Sequence, residues 1–379
     1  MKHYNYIFTG AGLAALMTVY EMILSGKFKD KTILLLDADA KKTNDRTWCF
    51  WDNENLFDSI IAKTWRNAWF MNAELRIKLD LKPYQYKMIY GLDFYNLVFD
   101  KISSEQNISF DNQKIISFAD NELQCEVVTE NEKFSCDKIF NSIFDINQVK
   151  NQDKYPLLQQ HFIGWFIKSK EPVFDKDAVN FMDFSVKQKQ NTRFMYVLPT
   201  SAHEALVEYT LFSKNLLEDK EYEAEIEKYI TNLGISAYEI VDKEQGNIPM
   251  SSYEFWKNNS KNIVNIGSNG GWTKASTGFT FKNVTKLSKK LVAFISTEFD
   301  FTNFYKKDKF WFYDLLFIDV LYKNNELGSS VFSSLFKKGN PILILKFLDG
   351  ETTFFEDLQV MMKCPKMPFI KALFSRFLK

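Results

Sequence analysis

Tyr6-Ile7-Phe8-Thr9-Gly10-Ala11-Gly12-Leu13-Ala14-Ala15 is the most telling segment of the chain. An apolar, strand-like run enters a turn with two glycines. It leaves through a helix of small and apolar residues, Leu13 to Met22, which Ser25-Gly26 stops. A second apolar run from Thr32 to Leu36 ends at Asp37. Strand, turn, helix, strand and acid in this register describe a βαβ unit that binds a dinucleotide. Gly10 takes the tight turn, and Gly12 lets the backbone approach a pyrophosphate. Ala15 is small enough for close packing of helix on sheet, and Asp37 stands where an acid bonds a ribose 2′-hydroxyl.

A second glycine cluster lies far along the chain. Ile263-Val264-Asn265-Ile266-Gly267 restores the parallel-strand signature and runs into Ser268-Asn269-Gly270-Gly271-Trp272-Thr273-Lys274-Ala275-Ser276-Thr277-Gly278-Phe279, with a helix through Val292 beyond. Two distant glycine clusters favour a flavin dinucleotide over a nicotinamide. The first holds the pyrophosphate, and the second, with Gly267, Gly270, Gly271, Thr277 and Gly278, approaches the ribityl chain and ring. The loop reads Gly267-Ser268-Asn269 where many flavin monooxygenases have Gly-Asp, which weakens a hydroxylase assignment. Between the clusters, Asp45-Arg46-Thr47-Trp48-Cys49-Phe50-Trp51 is too aromatic for a casual solvent loop. On a fold-only reading Trp48 and Trp51 are packing residues and Arg46 is a salt-bridge partner; on a cofactor reading Arg46 is a guanidinium beside the ribose or pyrophosphate.

With 379 residues, the chain is long enough for two or three units. Forty-eight basic and forty-eight acidic residues balance, so there is no general attraction for nucleic acid. Four scattered cysteines and three histidines argue against a metal centre and suit a reducing compartment. No signal peptide and no spanning apolar stretch are apparent, so export is not expected. Phenylalanine occurs 37 times, which leaves lineage bias and an apolar tunnel or membrane-facing surface both open.

Further along, a strand is predicted over 73–79, a helix over 84–102 and short strands over 113–118, 123–129 and 138–144. Long strands are predicted over 160–167 and 193–199, another over 204–211, and a charged surface helix over 217–233. Residues 300–379 read as helical and aromatic. The expected fold is α/β, with a split FAD-binding domain at 1–65, 101–155 and 257–299. A substrate-domain excursion at 66–100 precedes the substrate domain proper at 156–256, and a helical region closes the chain from 300 to 379.

In the order of its motifs the chain resembles the bacterial lycopene β-cyclase family of flavoproteins, in its branch from Bacteroidetes-like carotenoid producers. The resemblance rests on Gly10-Ala11-Gly12, Asp45 to Trp51 and Met182-Asp183-Phe184. It continues through Tyr196-Val197-Leu198-Pro199, Leu206-Val207-Glu208-Tyr209-Thr210, Gly246-Asn247-Ile248-Pro249-Met250 and Gly270 to Phe279. It implies a para-hydroxybenzoate hydroxylase-like architecture: a split Rossmann-like FAD domain, an antiparallel-sheet substrate domain and a helical C-terminal region. It also implies reduced FAD, with electrons from NADPH or NADH, and non-redox cyclisation of lycopene or related acyclic carotenoids through γ-carotene to β-carotene.

By the same resemblance Glu208 is the catalytic acid. Glu204, four strand positions away, is its competitor, and Glu239 and Glu244, read as lying in a loop near a strand, are weaker candidates for a second acid. Trp272 and Phe279 line either the flavin or polyene channel or the core. Lys306, Lys307 and Lys309 beside the aromatic run Phe310 to Tyr322 suggest either interfacial seating on a membrane or a helix docked on the protein. A peripheral position at the cytoplasmic side of a membrane, or a cytoplasmic one, is therefore expected. The rival functions are a FAD-dependent monooxygenase or reductase acting on a lipid, and a carotenoid-binding flavoprotein without catalysis. Product preference and oligomeric state are open.

Overall fold

The computed structural model describes residues 1–121 and 123–378, and among these the strands form three sheets. The first orders Ile108–Asp111, Ile33–Leu36, Lys2–Thr9, Lys133–Asn141, Cys125–Thr129 and Ile115–Asp120. Ile263–Asn265 pairs with the later half of Lys133–Asn141. Its central pairings are parallel, and the excursion through Cys125–Thr129 and Ile115–Asp120 is antiparallel. Three parallel strands end in register at Thr9, Asn141 and Asn265. Their side chains are linked: the Thr9 hydroxyl donates to Asn141 at 2.9 Å, and Asn141 donates to Asn265 at 2.8 Å. Both glycine-rich loops leave from this edge, the carboxyl ends of the strands, where ligands of such sheets bind.

The helix Leu13–Ser25 buries eight residues and ends at Gly26 in the left-handed conformation. It packs on Phe281–Ile295, the helix after the second loop, and the buried hydroxyls of Thr18 and Ser288 meet at 3.0 Å. Ala15 is fully buried between helix and sheet, where a larger side chain would cost ~1–3 kcal/mol in overpacking.

The second sheet orders Tyr238–Met250, Leu158–Ser169, Glu204–Ser213, Thr192–Pro199, Ala178–Asp183, Asn67–Met71 and Arg76–Asp80. Alternation along Glu204–Ser213 divides its faces. Ala205, Val207, Tyr209 and Leu211 pack with Tyr222, Ile226 and Ile230 of the helix Asp219–Asn232. Leu206, Glu208, Thr210 and Phe212 face the opposite way, toward a cavity. A third sheet joins Thr47–Asp52, Gln85–Tyr90 and Lys63–Trp65. Five helices follow: Lys309–Lys323, Leu327–Lys338, Pro341–Leu348, Phe354–Met361 and Lys366–Phe377.

Three expectations from the sequence need correction. Residues 84–102 are not one helix: Gln85–Tyr90 is a strand paired with Thr47–Asp52, and the helix is Gly91–Ser103. The apolar run there satisfies either period, and cross-strand pairing with the aromatic Thr47–Asp52 segment takes its first half. The strand over 73–79 begins only at Arg76, because Asn72 and Leu75 close a turn. Glu239 and Glu244 do not lie in a loop; both belong to Tyr238–Met250, a strand of 13 residues.

Candidate active site

A cavity of about 610 Å³, the size of a cofactor or ligand site, runs from the first sheet to the second. At one end stand Gly12, Leu13 and Ala14, the start of the first helix. Gly12 is the residue before the first turn of that helix and carries no side-chain cap. A Cβ there would meet nothing within 4 Å, and no acid occupies the first turn. Unsatisfied amides and the positive end of the helix dipole therefore face open space. Gly10 takes φ +101°, and a Cβ on it would collide with the Ser142 hydroxyl.

Across from this helix start lie Gly267, Ser268, Thr273, Thr277 and Gly278. Gly267 adopts φ +62°, and a Cβ there would stand 3.1 Å from that of Ala14, so the second loop rides directly on the first helix. The Thr277 hydroxyl and the Gln160 carboxamide oxygen are buried without hydrogen-bond partners, and both residues line the cavity. Buried polar atoms left unpaired are costly unless a ligand satisfies them. Ser268, not Asn269, supplies the polar side chain at the loop, since Asn269 turns inward and donates to Asn265 at 2.6 Å. Helix start, left-handed glycines and orphaned polar atoms together fit a dinucleotide.

The structure gathers Gly12, Arg46, Glu208, Gly267, Thr277 and Gly278 around this one space. Gly10, Ala15, Asp37, Gly270 and Gly271 shape it from behind and are not among its lining residues. Asp37 ties the turn together: its carboxylate accepts from the Ala11 amide at 2.6 Å and the Asp39 amide at 2.8 Å, with the Lys41 ammonium 3.6 Å away. Arg46 is mostly exposed and bonds Asp45 at 3.1 Å. Phe279 lines the cavity, whereas Trp272 is core packing, 1 % exposed and beside Phe304. Trp51 likewise packs and donates to Asp349 at 2.7 Å.

Two carboxyl groups, Glu208 and Glu244, line the cavity. Gly164, at the centre of Leu158–Ser169, is in register with Glu208 on one side and Glu244 on the other. A Cβ on Gly164 would lie 3.4 Å from Glu208 Cβ and 3.4 Å from Glu244 Cγ. The missing side chain thus lets two acids flank one bare stretch of strand. Glu208 is 6 % exposed and accepts a short hydrogen bond from the Thr210 hydroxyl. Burial, reinforced by the charge of Glu244 and opposed by the Thr210 hydroxyl, raises its pKa well above the ordinary carboxylate value. Glu244 accepts from the Thr47 hydroxyl at 2.8 Å, and burial raises its pKa to about 7.

The competing acids are elsewhere. Glu204 pairs with Lys168 at 3.3 Å on the surface, and Glu239 is exposed. Beside Glu208, Tyr196 is its cross-strand neighbour and meets the Tyr86 hydroxyl at 2.5 Å. Burial holds both phenols well above their ordinary value and pushes the Cys49 thiol up to about 12. All three groups are therefore neutral hydrogen-bonding partners near neutral pH. Thr47, Gly164, Tyr196 and Gln160 were not picked out from the sequence as site residues. Thr47 and Tyr196 lay inside the motifs Asp45 to Trp51 and Tyr196 to Pro199 without a role of their own, and Gly164 was an isolated glycine within a strand pattern, which marks close approach but not by what. Beyond the acids the cavity is apolar, with Phe194, Phe212, Phe332, Leu335 and Phe336 in its wall.

The sequence profile of the family described as "Lycopene cyclase protein" matches residues 5–374. A search of curated protein sequences finds no match. Among solved structures, the flavin-dependent brominase Bmp2 superposes with a TM-score of 0.63 at 10 % identity, covering all of both chains. A geranylgeranyl bacteriochlorophyll reductase-like protein from Thermoplasma acidophilum gives 0.58 at 11 %, covering 100 % of this chain and 98 % of that one. The p-nitrophenol 4-monooxygenase PnpA from Pseudomonas putida DLL-E4 gives 0.56 at 8 %, covering 99 % and 98 %. At such identities the likeness is one of fold: a split Rossmann-like FAD-binding domain, an antiparallel sheet and a helical region.

Proposed function

The chain belongs to the lycopene cyclase family, and on that premise we propose that it closes the rings of lycopene, through γ-carotene, to β-carotene. Within the family we place it in the Bacteroidetes-like branch that its motifs resemble. What supports the proposal is one cavity in which a helix start suited to a pyrophosphate, a carboxyl held protonated and an apolar wall meet.

FAD would be held by the amides at Gly12 and Leu13, by Arg46 and Ser268, and by the unpaired Thr277 and Gln160 oxygens. When bound and reduced by NADPH or NADH, it would supply an electron-rich ring able to stabilise positive charge on the substrate. The Phe-lined wall receives the end of the polyene and excludes water. Glu208 delivers its proton to the terminal alkene, and the neighbouring double bond attacks the tertiary cation to close the ring. Loss of one ring proton completes the β-ionone unit, so the proton spent is regained and substrate and product are isomers. The Glu208 carboxylate left behind stabilises the cation electrostatically and is placed to take that proton back.

Anaerobic incubation of the purified protein with detergent-solubilised lycopene, FAD and a reductant should yield a bicyclic product of unchanged mass. Only priming amounts of reductant should be consumed. A product of altered mass with stoichiometric NAD(P)H consumption would instead make it a monooxygenase or reductase of lipids. Unchanged lycopene would make it a binding protein.

The second acid gives a pH signature. As pH rises through about 7 Glu244 ionises, and its negative charge favours the proton on Glu208. In Glu244→Gln that charge is gone, Glu208 ionises at lower pH, and the alkaline limb of the kcat profile moves down by about one pH unit. Stability carries the matching sign. The folded-state pKa of Glu244 is raised, so its contribution is present at low pH and lost as pH rises through about 7. Glu244→Gln should therefore unfold at higher temperature than the parent above pH 7, measured calorimetrically, and an unmoved kcat limb would separate the two acids electrically.

A further inference from the structure

A surface helix normally turns its apolar stripe inward, and the last helix of this protein does the reverse. Along Lys366–Phe377, Met367, Ile370, Phe374 and Phe377 recur at helical spacing, and all are exposed, Phe374 at 62 % and Phe377 at 77 %. The opposite side is the one fastened to the protein. Ala372 is buried there, and Arg376 grips both carboxylate oxygens of Asp319 at 2.6 Å. The outward stripe is therefore fixed in place and is not a frayed end. The preceding helix, Phe354–Met361, repeats the pattern: Phe354, Phe355, Leu358 and the following Met362 are exposed, while Val360 on the other side is buried.

Charge identifies the occupant. Lys366 and Lys371 are exposed and, by helical spacing, flank the outward stripe on either side. The acids of the neighbouring helix do not offset them, because Glu356 is paired with Lys346 at 2.7 Å and Asp357 with Lys309 at 2.7 Å. An aromatic stripe edged by lysines matches a bilayer surface carrying anionic headgroups, with rings among the acyl chains and ammonium groups among phosphates. Among the described residues no helix is long and apolar enough to cross a membrane. Of the three lysines that the sequence suggested for this task, Lys309 is held by Asp357 and Lys307 lies 3.4 Å from Glu254, while Lys306 is exposed.

We propose that the outward faces of Phe354–Met361 and Lys366–Phe377 form the surface by which this protein docks on an anionic bilayer. The position suits delivery of a hydrocarbon. Val360, on the inner side of the first of these helices, belongs to the same apolar cluster as Leu335 and Phe336, which line the cavity. The inference rests on the proposed activity only in taking the cargo to be a membrane-dissolved hydrocarbon, and its test reads partitioning, not turnover.

Sedimentation with phosphatidylcholine vesicles containing phosphatidylglycerol should carry the parent protein down. The double variant Ile370→Glu/Phe374→Glu should partition at least about ten-fold less, and Lys366→Glu/Lys371→Glu should lose binding only where anionic lipid is present. Both variants change exposed residues, and unaltered FAD affinity and circular dichroism confirm that they fold. The first should retain activity on detergent-solubilised polyene and lose it on vesicle-borne polyene. The proposal is overturned if the parent ignores vesicles, if the glutamate variants sediment like the parent, or if the parent is a dimer that Phe374→Glu dissociates, because a second copy would then cover the face.

Discussion

Glu208→Gln is expected to lower kcat for cyclisation by about three orders of magnitude, within the range spanned by loss of a positioned proton donor, while FAD affinity stays unchanged. Glutamine matches glutamate in size and can still accept from the Thr210 hydroxyl, so the wall of the cavity is preserved. What is lost is an acidic proton that burial and the charge of Glu244 favour. Glu204→Gln serves as the contrast: Glu204 shares the strand and the face, yet it is spent on Lys168 at the surface. Full activity in Glu208→Gln, read by chromatographic separation of the carotenoids, would refute the assignment.

Gly12→Asp should weaken FAD binding by two orders of magnitude or about that, because it sets a fixed negative charge where a pyrophosphate is to meet the helix dipole. The substitution leaves the fold intact. Gly12 has an ordinary extended backbone, and a Cβ there would occupy open space. Aspartate at the residue before a helix accepts hydrogen bonds from the first-turn amides and should raise apoprotein stability over glycine by about a few tenths of a kcal/mol. A variant with higher Tm and lost flavin affinity, measured by calorimetry and fluorescence titration, is thus the expected pair of results. Retained flavin affinity would place the pyrophosphate elsewhere.

How much of this was legible in the chain can be seen residue by residue. The turn at Gly10-Ala11-Gly12, the stop at Gly26 and the strand into Gly267 were readable because each is a local backbone requirement written by neighbouring residues. Glu208 was readable only through the resemblance, since a carboxylate in an alternating strand reads equally well as a surface group. Asp37 was readable from its place at the end of the second strand, whereas the bonds its carboxylate accepts from the Ala11 and Asp39 amides were not. The split of 84–102 into strand and helix was hidden because a partner strand some 40 residues earlier decides it.

From local order alone the chain determined a nucleotide-type βαβ start, a second glycine loop, an alternating β-rich middle and a helical end. Those patterns depend on side-chain periodicity and on where glycine permits a turn. Only tertiary structure decided that Glu208 and Glu244 flank Gly164, that the same space reaches Gly12, and that two late helices turn their apolar sides outward. Such facts depend on strand register and on which neighbours remove water from a group. Both are set by pairings between residues distant in sequence, and the acidity of a carboxyl follows its surroundings and not its place in the chain.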